Sequence, residues 1–147
     1  SRCIMGTQQN RFDFNQELWK LGQSIEDAIL PSINTKFDAD FKRDQDIFDI
    51  IDFRDGDKKL ACEIKGRRNT SSQYKDTIIT LNKITTGWTM IDEGWDVYLI
   101  FVFTDKTMYH KLTGDENWKV KLTGTFGIEH YLIPVSELKD FEVEDDD

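Results

Sequence analysis

The chain is poor in cysteine and histidine, with two of each among its 147 residues. Two cysteines cannot build a disulfide framework, and none of these four residues stands at the close spacing that a zinc site needs. Cys62 lies in an apolar segment, so we expect a small core residue in a reducing compartment. His110 and His130 lie in apparent strands, where a packing or surface role is expected.

Long apolar runs are also missing. No segment approaches the roughly 20 apolar residues that span a bilayer, and the N-terminus has no charged region followed by an apolar one. We therefore expect a soluble, cytoplasmic protein with no membrane partner and no secretory signal. The sequence also lacks a Gly-rich phosphate loop and a nucleophile elbow, so it shows neither of these local signs of an enzyme.

Basic residues are outnumbered, with 19 lysines and arginines against 28 acids, and the net charge of −9 argues against a nucleic-acid partner. Six of the acids lie in residues 140–147, and without them the net charge becomes −3. Such acidic ends are usually solvated tails. A phosphate backbone interacts with the charges close to its binding site, and one region of the sequence is rich in lysine and arginine. Its members are Lys58, Lys59, Lys65, Arg67, Arg68, Lys75 and Lys83.

Apolar and aromatic residues are plentiful, with ten Phe, four Trp and four Tyr in a chain that is 38% hydrophobic. This composition supports a packed core, and the length fits one domain. We predict a single domain over residues 1–139 followed by an acidic tail, residues 140–147.

The first regular element is predicted to be an amphipathic helix over residues 14–30. Asp13 and Gln16 are spaced like a capping box, and Pro31 is expected to end the helix. Residues 32–46 are then a connection. The apolar positions recur at helical spacing and are Phe14, Leu18, Leu21, Ile25 and Ile29.

A β-hairpin is predicted next, from two apolar segments, residues 47–53 and 60–66. Asp55-Gly56 between them is a strong hairpin-turn signal because glycine tolerates positive φ. We expect residues 48–50 to lie opposite residues 61–63. Alternation along the second strand places Leu60, Cys62 and Ile64 on one face and Ala61, Glu63 and Lys65 on the other.

The predicted hairpin brings several charged side chains close together. Asp49 and Asp52 on the first strand are expected near Glu63 and Lys65 on the second. An isolated charge in a sheet interior is strongly disfavoured, and a divalent cation would compensate it. The alternative is an edge hairpin whose outer face carries solvated charges.

Asp49, followed after thirteen residues by Glu63-Ile64-Lys65, resembles the PD-(D/E)XK nucleases of the restriction-endonuclease-like superfamily. The resemblance extends over the first two thirds of the chain. Gly22 and Glu26, four residues apart in the helix, are similar to the acid that superfamily members often carry before the sheet, with Glu17 a weaker candidate.

The resemblance implies a metal-dependent nuclease that hydrolyses DNA phosphodiester bonds, as an endonuclease. It implies that Mg²⁺ or Mn²⁺ binds Asp49 and Glu63, with Glu26 as an outer or third ligand. Lys65 would position the attacking water and stabilise charge in the transition state. The nucleic-acid contacts would be Arg67, Arg68 and Lys83.

Several alternatives stay open at this point. Asp52 can replace or assist Asp49 as the first metal ligand. We favour Asp49 because it lies in the middle of the predicted strand. The fold can also belong to a catalytically inert module that binds nucleic acid or protein, or to a nuclease that acts on RNA. The small size indicates that two copies act together on a duplex.

The rest of the chain is predicted to complete an α/β fold (an α+β mixed sheet), a restriction-endonuclease-like core with helices flanking a central mixed sheet. A strand is predicted over residues 76–81, with a helix beginning near Ser72 as the alternative, and a helical period then runs to Gly94. Residues 96–103 are expected to form a doubly buried central strand. Further strands are predicted over residues 106–112, 118–123 and 128–133, before a short helix capped by Ser136.

Overall fold

The computed structural model describes residues 2–44, 50–124 and 127–142, and gives the backbone alone for residues 2–15, 18 and 19. This part of the chain contains two α-helices, α1 (Arg2–Phe37) and α2 (Leu81–Asp92). Its nine strands are β1 (Lys42–Arg43), β2 (Phe53–Asp55), β3 (Leu60–Gly66), β4 (Asp76–Thr80), β5 (Asp96–Val102), β6 (Thr107–Lys111), β7 (Lys119–Thr123), β8 (Ile128–Pro134) and β9 (Lys139–Asp140).

The strands form two sheets. Six of them make a central sheet in the order β1-β2-β3-β5-β6-β9, and three make a second sheet in the order β4-β8-β7. β3 and β5 pair in parallel, whereas the other neighbours in the central sheet pair antiparallel. The predicted fold class, a mixed sheet with helices in a restriction-endonuclease-like arrangement, is confirmed.

The two faces of the central sheet are both covered, and β3 contributes to each. Its side chains alternate, so Cys62 and Ile64 pack with Ile33 of α1 on one face. Ala61 packs with Ile84 of α2 on the other face. The sheet is therefore a middle layer between α1 and the layer formed by α2 and the second sheet, and a polar side chain on β3 is buried unless it lies near a strand end.

The prediction that Pro31 ends the first helix is wrong, because α1 continues through Pro31 to Phe37. Proline inside a helix removes one hydrogen bond and costs about 3 kcal/mol or more. The packing beyond it offsets this cost: Ile33 is fully buried, and the ring of Phe37 lies 4.3 Å from that of Tyr98. The predicted connection over residues 32–46 is therefore helical at its start, and β1 lies within it.

The predicted hairpin exists, but its first strand and its register differ from expectation. β2 begins only at Phe53, and Phe53 and Arg54 pair with Cys62 and Ala61, the positions expected to face residues 48–50. The turn occupies residues 56–59, where Lys59 has a φ of 54°. The carboxylate of Asp55 accepts the backbone N–H groups of Asp40 at 2.8 Å and Lys58 at 3.2 Å, which fixes the turn.

The later elements largely match the sequence. The strand before the second helix is confirmed as β4, and β5 is the expected buried strand, with Val97, Leu99 and Phe101 fully buried. The final helix is a single 3₁₀ turn, Val135–Glu137, preceded by Pro134 and without a side-chain cap, so the prediction of a Ser136 cap is wrong.

The C-terminal residues that the structure describes belong to the fold. Asp140, where the acidic tail was predicted to begin, pairs with Met108 in the sheet, and Phe141 packs against α1. Residues 143–147 lie outside the described part. Across the described chain, no helix combines the length and the apolar composition needed to cross a membrane.

Candidate metal and catalytic site

Glu63 is the most deeply buried acid among the residues that the structure describes. It lies in the middle of β3 on the face that packs against α2, and its side chain has no exposed surface. Its Oε2 atom accepts the backbone N–H of Asp52 at 3.3 Å. Its Oε1 atom accepts no hydrogen bond from the described part of the chain. A buried carboxylate oxygen with unused lone pairs is costly and marks a place where a cation can bind.

Two lysines supply positive charge at this oxygen. Lys65 Nζ lies 3.5 Å from Glu63 Oε1, and Lys83 Nζ lies 3.4 Å from the same atom. Lys65 follows Glu63 by two residues and so shares its face of β3. Lys83 comes from the first turn of α2, which begins directly where β4 ends.

Asp52 completes this cluster. It precedes β2, and the register of the hairpin sets its backbone N–H against the Glu63 carboxylate. Its Oδ1 atom lies 3.9 Å from Lys83 Nζ, so the two carboxylates flank one ammonium group. Lys83 also donates a hydrogen bond to the carbonyl oxygen of Ile50, which ties the segment before β2 to the helix.

The pKa of Glu63 is raised from its ordinary value of 4.5 to about 7. Burial is the main cause, because the charged carboxylate loses its hydration. The ammonium groups of Lys83 and Lys65 oppose the shift, whereas the negative charge of Asp52 adds to it. Burial outweighs both lysines, so near neutral pH the site still favours added positive charge.

Asp49, the acid favoured from sequence, lies outside the described residues, as do residues 45–48. Its metal-binding role therefore stays a prediction. The alternative weighed for the same role, Asp52, lies beside Glu63. In the described part of the chain, no group of three or more acids, histidines or cysteines is close enough together to hold a metal ion.

Glu26, the predicted third ligand, is bound to an arginine. Arg43 Nη2 lies 2.9 Å from Glu26 Oε2, and the guanidinium of Arg43 stacks 4.7 Å above the ring of Phe53. Phe53 belongs to the core on the α1 side of the sheet, opposite the face of Glu63. Burial raises the pKa of the Cys62 thiol on the α1 side, and the charges of Glu63, Asp52 and Glu26 raise it further.

The two arginines after β3 differ in their surroundings. Arg67 is held within the protein: its Nε donates to Thr77 Oγ1 at 3.0 Å, and its Nη2 donates to the carbonyl oxygen of Ile78. Burial lowers its pKa. Arg67 thus connects β3 to β4 across the two sheets. Arg68 is exposed and, with Arg67, lines a cleft beside Gly22 and Ile25 of α1.

Sequence reasoning missed two contributors to this region. Arg43, which pairs with Glu26, lies in a segment predicted to be a connection. The carbonyl oxygen of Ile50, which holds Lys83, lies in a segment predicted to be strand, where it would have paired with a neighbouring strand. Neither contact has a local sequence signal, because each joins residues at least 17 positions apart.

Comparison with known proteins gives one family. No curated protein and no solved structure matches the chain. A family model described as "Phage putative PDDEXK endonuclease" matches residues 20–127, a span that contains the acids and both lysines of the cluster described above. The match covers most of the chain and is independent of the geometry. The chain therefore belongs to this PD-(D/E)XK endonuclease family.

Proposed function

We propose that this protein is a metal-dependent endonuclease that hydrolyses DNA phosphodiester bonds, with Asp52, Glu63 and Lys65 at its reaction site. The observation that supports this proposal is the buried Oε1 atom of Glu63, which accepts no hydrogen bond from the described residues and lies against two ammonium groups. A purely structural site gains nothing from a buried carboxylate in this state.

The residues fit a hard divalent cation. Asp52 and Glu63 would hold Mg²⁺ or Mn²⁺, because such ions bind one or two carboxylates and complete their coordination with waters and substrate phosphates. The open lone pairs of Glu63 Oε1 are the donor that this chemistry uses. When bound, the ion supplies positive charge at the phosphate and lowers the pKa of a bound water.

Lys65 is suited to the reacting water and phosphate. Its side chain is 36% exposed, so the ammonium group is held near Glu63 yet open to solvent, from which both reactants arrive. It donates hydrogen bonds to the attacking water and to the phosphate oxygen on which negative charge grows. It lies near Glu63 Oε1 because the two residues share one face of β3.

The contacts with the DNA backbone are assigned to Arg68 and Lys83. Arg68 is exposed beside the cleft, whereas the hydrogen bonds of Arg67 to Thr77 and Ile78 give it a positioning role at the strand end. We therefore expect Arg68→Ala to weaken binding of a DNA duplex at low salt, with a weaker salt dependence, while thermal stability is unchanged.

A plasmid-nicking assay tests the proposed activity. Supercoiled DNA is incubated with the protein in Mg²⁺, Mn²⁺ or EDTA, and cleavage is expected only with the metals. Lys65→Ala should reduce the rate by about 100-fold or more, as removal of a transition-state donor does. Glu63→Gln should reduce it at least as much, because it removes a carboxylate proposed to bind the metal. Asp57→Asn in the exposed turn of the same hairpin and Lys121→Ala on β7 are matched controls that keep the rate.

The same assay distinguishes the two candidate acids. Asp52→Asn should abolish cleavage because Asp52 lies beside Glu63 and Lys83. Loss of cleavage in Asp49→Asn as well would mean that both acids serve the site, and loss in Asp49→Asn alone would give the metal-binding role to Asp49. Glu26→Gln should have a smaller effect than Asp52→Asn if the pairing with Arg43 persists during catalysis.

Other outcomes identify the alternatives. Cleavage of RNA but not of DNA would make the protein an RNA-directed nuclease. Failure to cut duplex, junction, single-stranded DNA or RNA with any metal would favour an inert binding module. Action by two copies on one duplex stays a prediction, which sedimentation of the protein with and without a short duplex tests.

A further inference from the structure

The ammonium group of Lys83 lies between the two acids proposed to bind the metal. Its Nζ atom is 3.4 Å from Glu63 Oε1 and 3.9 Å from Asp52 Oδ1, and it donates a hydrogen bond to the carbonyl oxygen of Ile50. Three oxygens from two separate segments thus surround one amine. The side chain is only 16% exposed, so solvent contributes little to its stabilisation.

Lys65 has a different environment although it is almost as close to Glu63 Oε1. Its side chain is more than twice as exposed, and among the described residues its one ion pair is with Glu63. Among the two lysines, Lys83 is therefore the one that lies close to both acids. Opposite charges in partly buried surroundings attract strongly, and a second cation placed among the same oxygens repels the first.

We propose that Lys83 is the resident counterion of Asp52 and Glu63, and that a divalent cation binds these acids by displacing its ammonium group. This inference rests on the proposed metal-dependent function. Any cation that both carboxylates share must occupy the immediate surroundings of Lys83 Nζ, so the two compete for the same oxygens. The displaced ammonium, still carried by the first turn of α2, then becomes available to a phosphate at the same site.

A calorimetric titration with Mn²⁺, without nucleic acid, measures this competition. Lys83→Met keeps most of the side-chain length and removes the charge, so it should bind Mn²⁺ at least about tenfold more tightly than the unaltered protein. Lys106→Met is the control: it also removes one positive charge, but Lys106 pairs with Asp140 at the far edge of the sheet. Equal or weaker binding by Lys83→Met would overturn the proposal.

A second measurement uses the unaltered protein and does not depend on how the variant folds. Brief acetylation followed by mass spectrometry reports how accessible each amine is. Acetylation of Lys83 should increase at saturating Mn²⁺, relative to Lys106 in the same molecule, because its ammonium group leaves the carboxylates. An unchanged or reduced rate at Lys83 would contradict the proposal.

These results separate the inference from the proposed function. Mn²⁺ can bind and support nicking while Lys83→Met binds it no more tightly and the acetylation of Lys83 does not increase. In that case the proposed nuclease activity is supported and the counterion role of Lys83 is wrong. If neither the unaltered protein nor Lys83→Met binds Mn²⁺, both proposals fail.

Discussion

Replacing the buried acid Glu63 by glutamine should stabilise the metal-free protein while it removes activity. Burial raises the pKa of Glu63 from 4.5 to about 7, so the folded state disfavours the charged carboxylate relative to the unfolded chain. At 1.36 kcal/mol per pKa unit, this difference corresponds to a cost of about 3 kcal/mol when the group is fully charged. Glutamine has nearly the same shape and carries no charge.

The sign of the pH dependence follows from the raised pKa. Below pH 4.5 the carboxyl group is protonated in both states and costs nothing. The cost grows as the pH rises from 4.5 to about 7, and it is fully present above that value. Glu63→Gln should therefore match the unaltered protein near pH 4.5 and exceed its free energy of unfolding by up to about 3 kcal/mol at pH 8.

Urea denaturation in EDTA, at steps between pH 4.5 and 8, measures this difference. Glu93→Gln, an exposed acid just after α2, is the control and should show no such pH-dependent gain. Mg²⁺ or Mn²⁺ should stabilise the unaltered protein more than Glu63→Gln, because the cation binds the charged carboxylate. A variant that is less stable than the unaltered protein at pH 8, or a difference independent of pH, would refute the burial argument.

Two further substitutions test the fold outside the cluster of Asp52, Glu63, Lys65 and Lys83. Ile33→Ala should lower the free energy of unfolding by about 2–5 kcal/mol, because Ile33 is fully buried beyond Pro31 and holds α1 against the sheet. Urea denaturation at pH 7 measures this loss. A negligible loss would contradict the packing explanation for the helix that continues through Pro31. Glu116 accepts hydrogen bonds from the Thr113 backbone and from Trp88 and His110, and the pKa of its carboxyl is lowered to about 2. Its stabilising contribution is present above about pH 4.5 and is lost as the pH falls towards 2, so the deficit of Glu116→Gln should shrink in acid.

The local sequence determined the elements and the chemistry of β3. Alternation of apolar residues in Leu60–Gly66 predicted which side chains share a face, and the two cores on either side of β3 follow that alternation. The same spacing placed Glu63 and Lys65 together. Strand periodicity depends only on the backbone repeat, and so this part of the site could be predicted without any knowledge of the partners.

The register of the hairpin could not be predicted in the same way. The Asp55-Gly56 pair correctly predicted a hairpin turn. Asp55, however, is the last residue of β2, and its carboxylate accepts the backbone N–H of Asp40, a residue 15 positions away. This contact helps to define where the turn begins. A shift of the paired residues changes which acid meets Glu63, and with Phe53 paired to Cys62 the backbone N–H of Asp52 meets the Glu63 carboxylate.

The sequence by itself determined the superfamily resemblance, the mixed-sheet class and the pairing of a buried acid with a lysine on one strand face. Only the tertiary structure decided that α1 passes through Pro31, that Arg43 binds Glu26, that Arg67 connects the sheets and that Lys83 lies between the acids. The reason is physical: the first set depends on repeats within single segments, whereas the second depends on packing and charge contacts between segments distant in sequence.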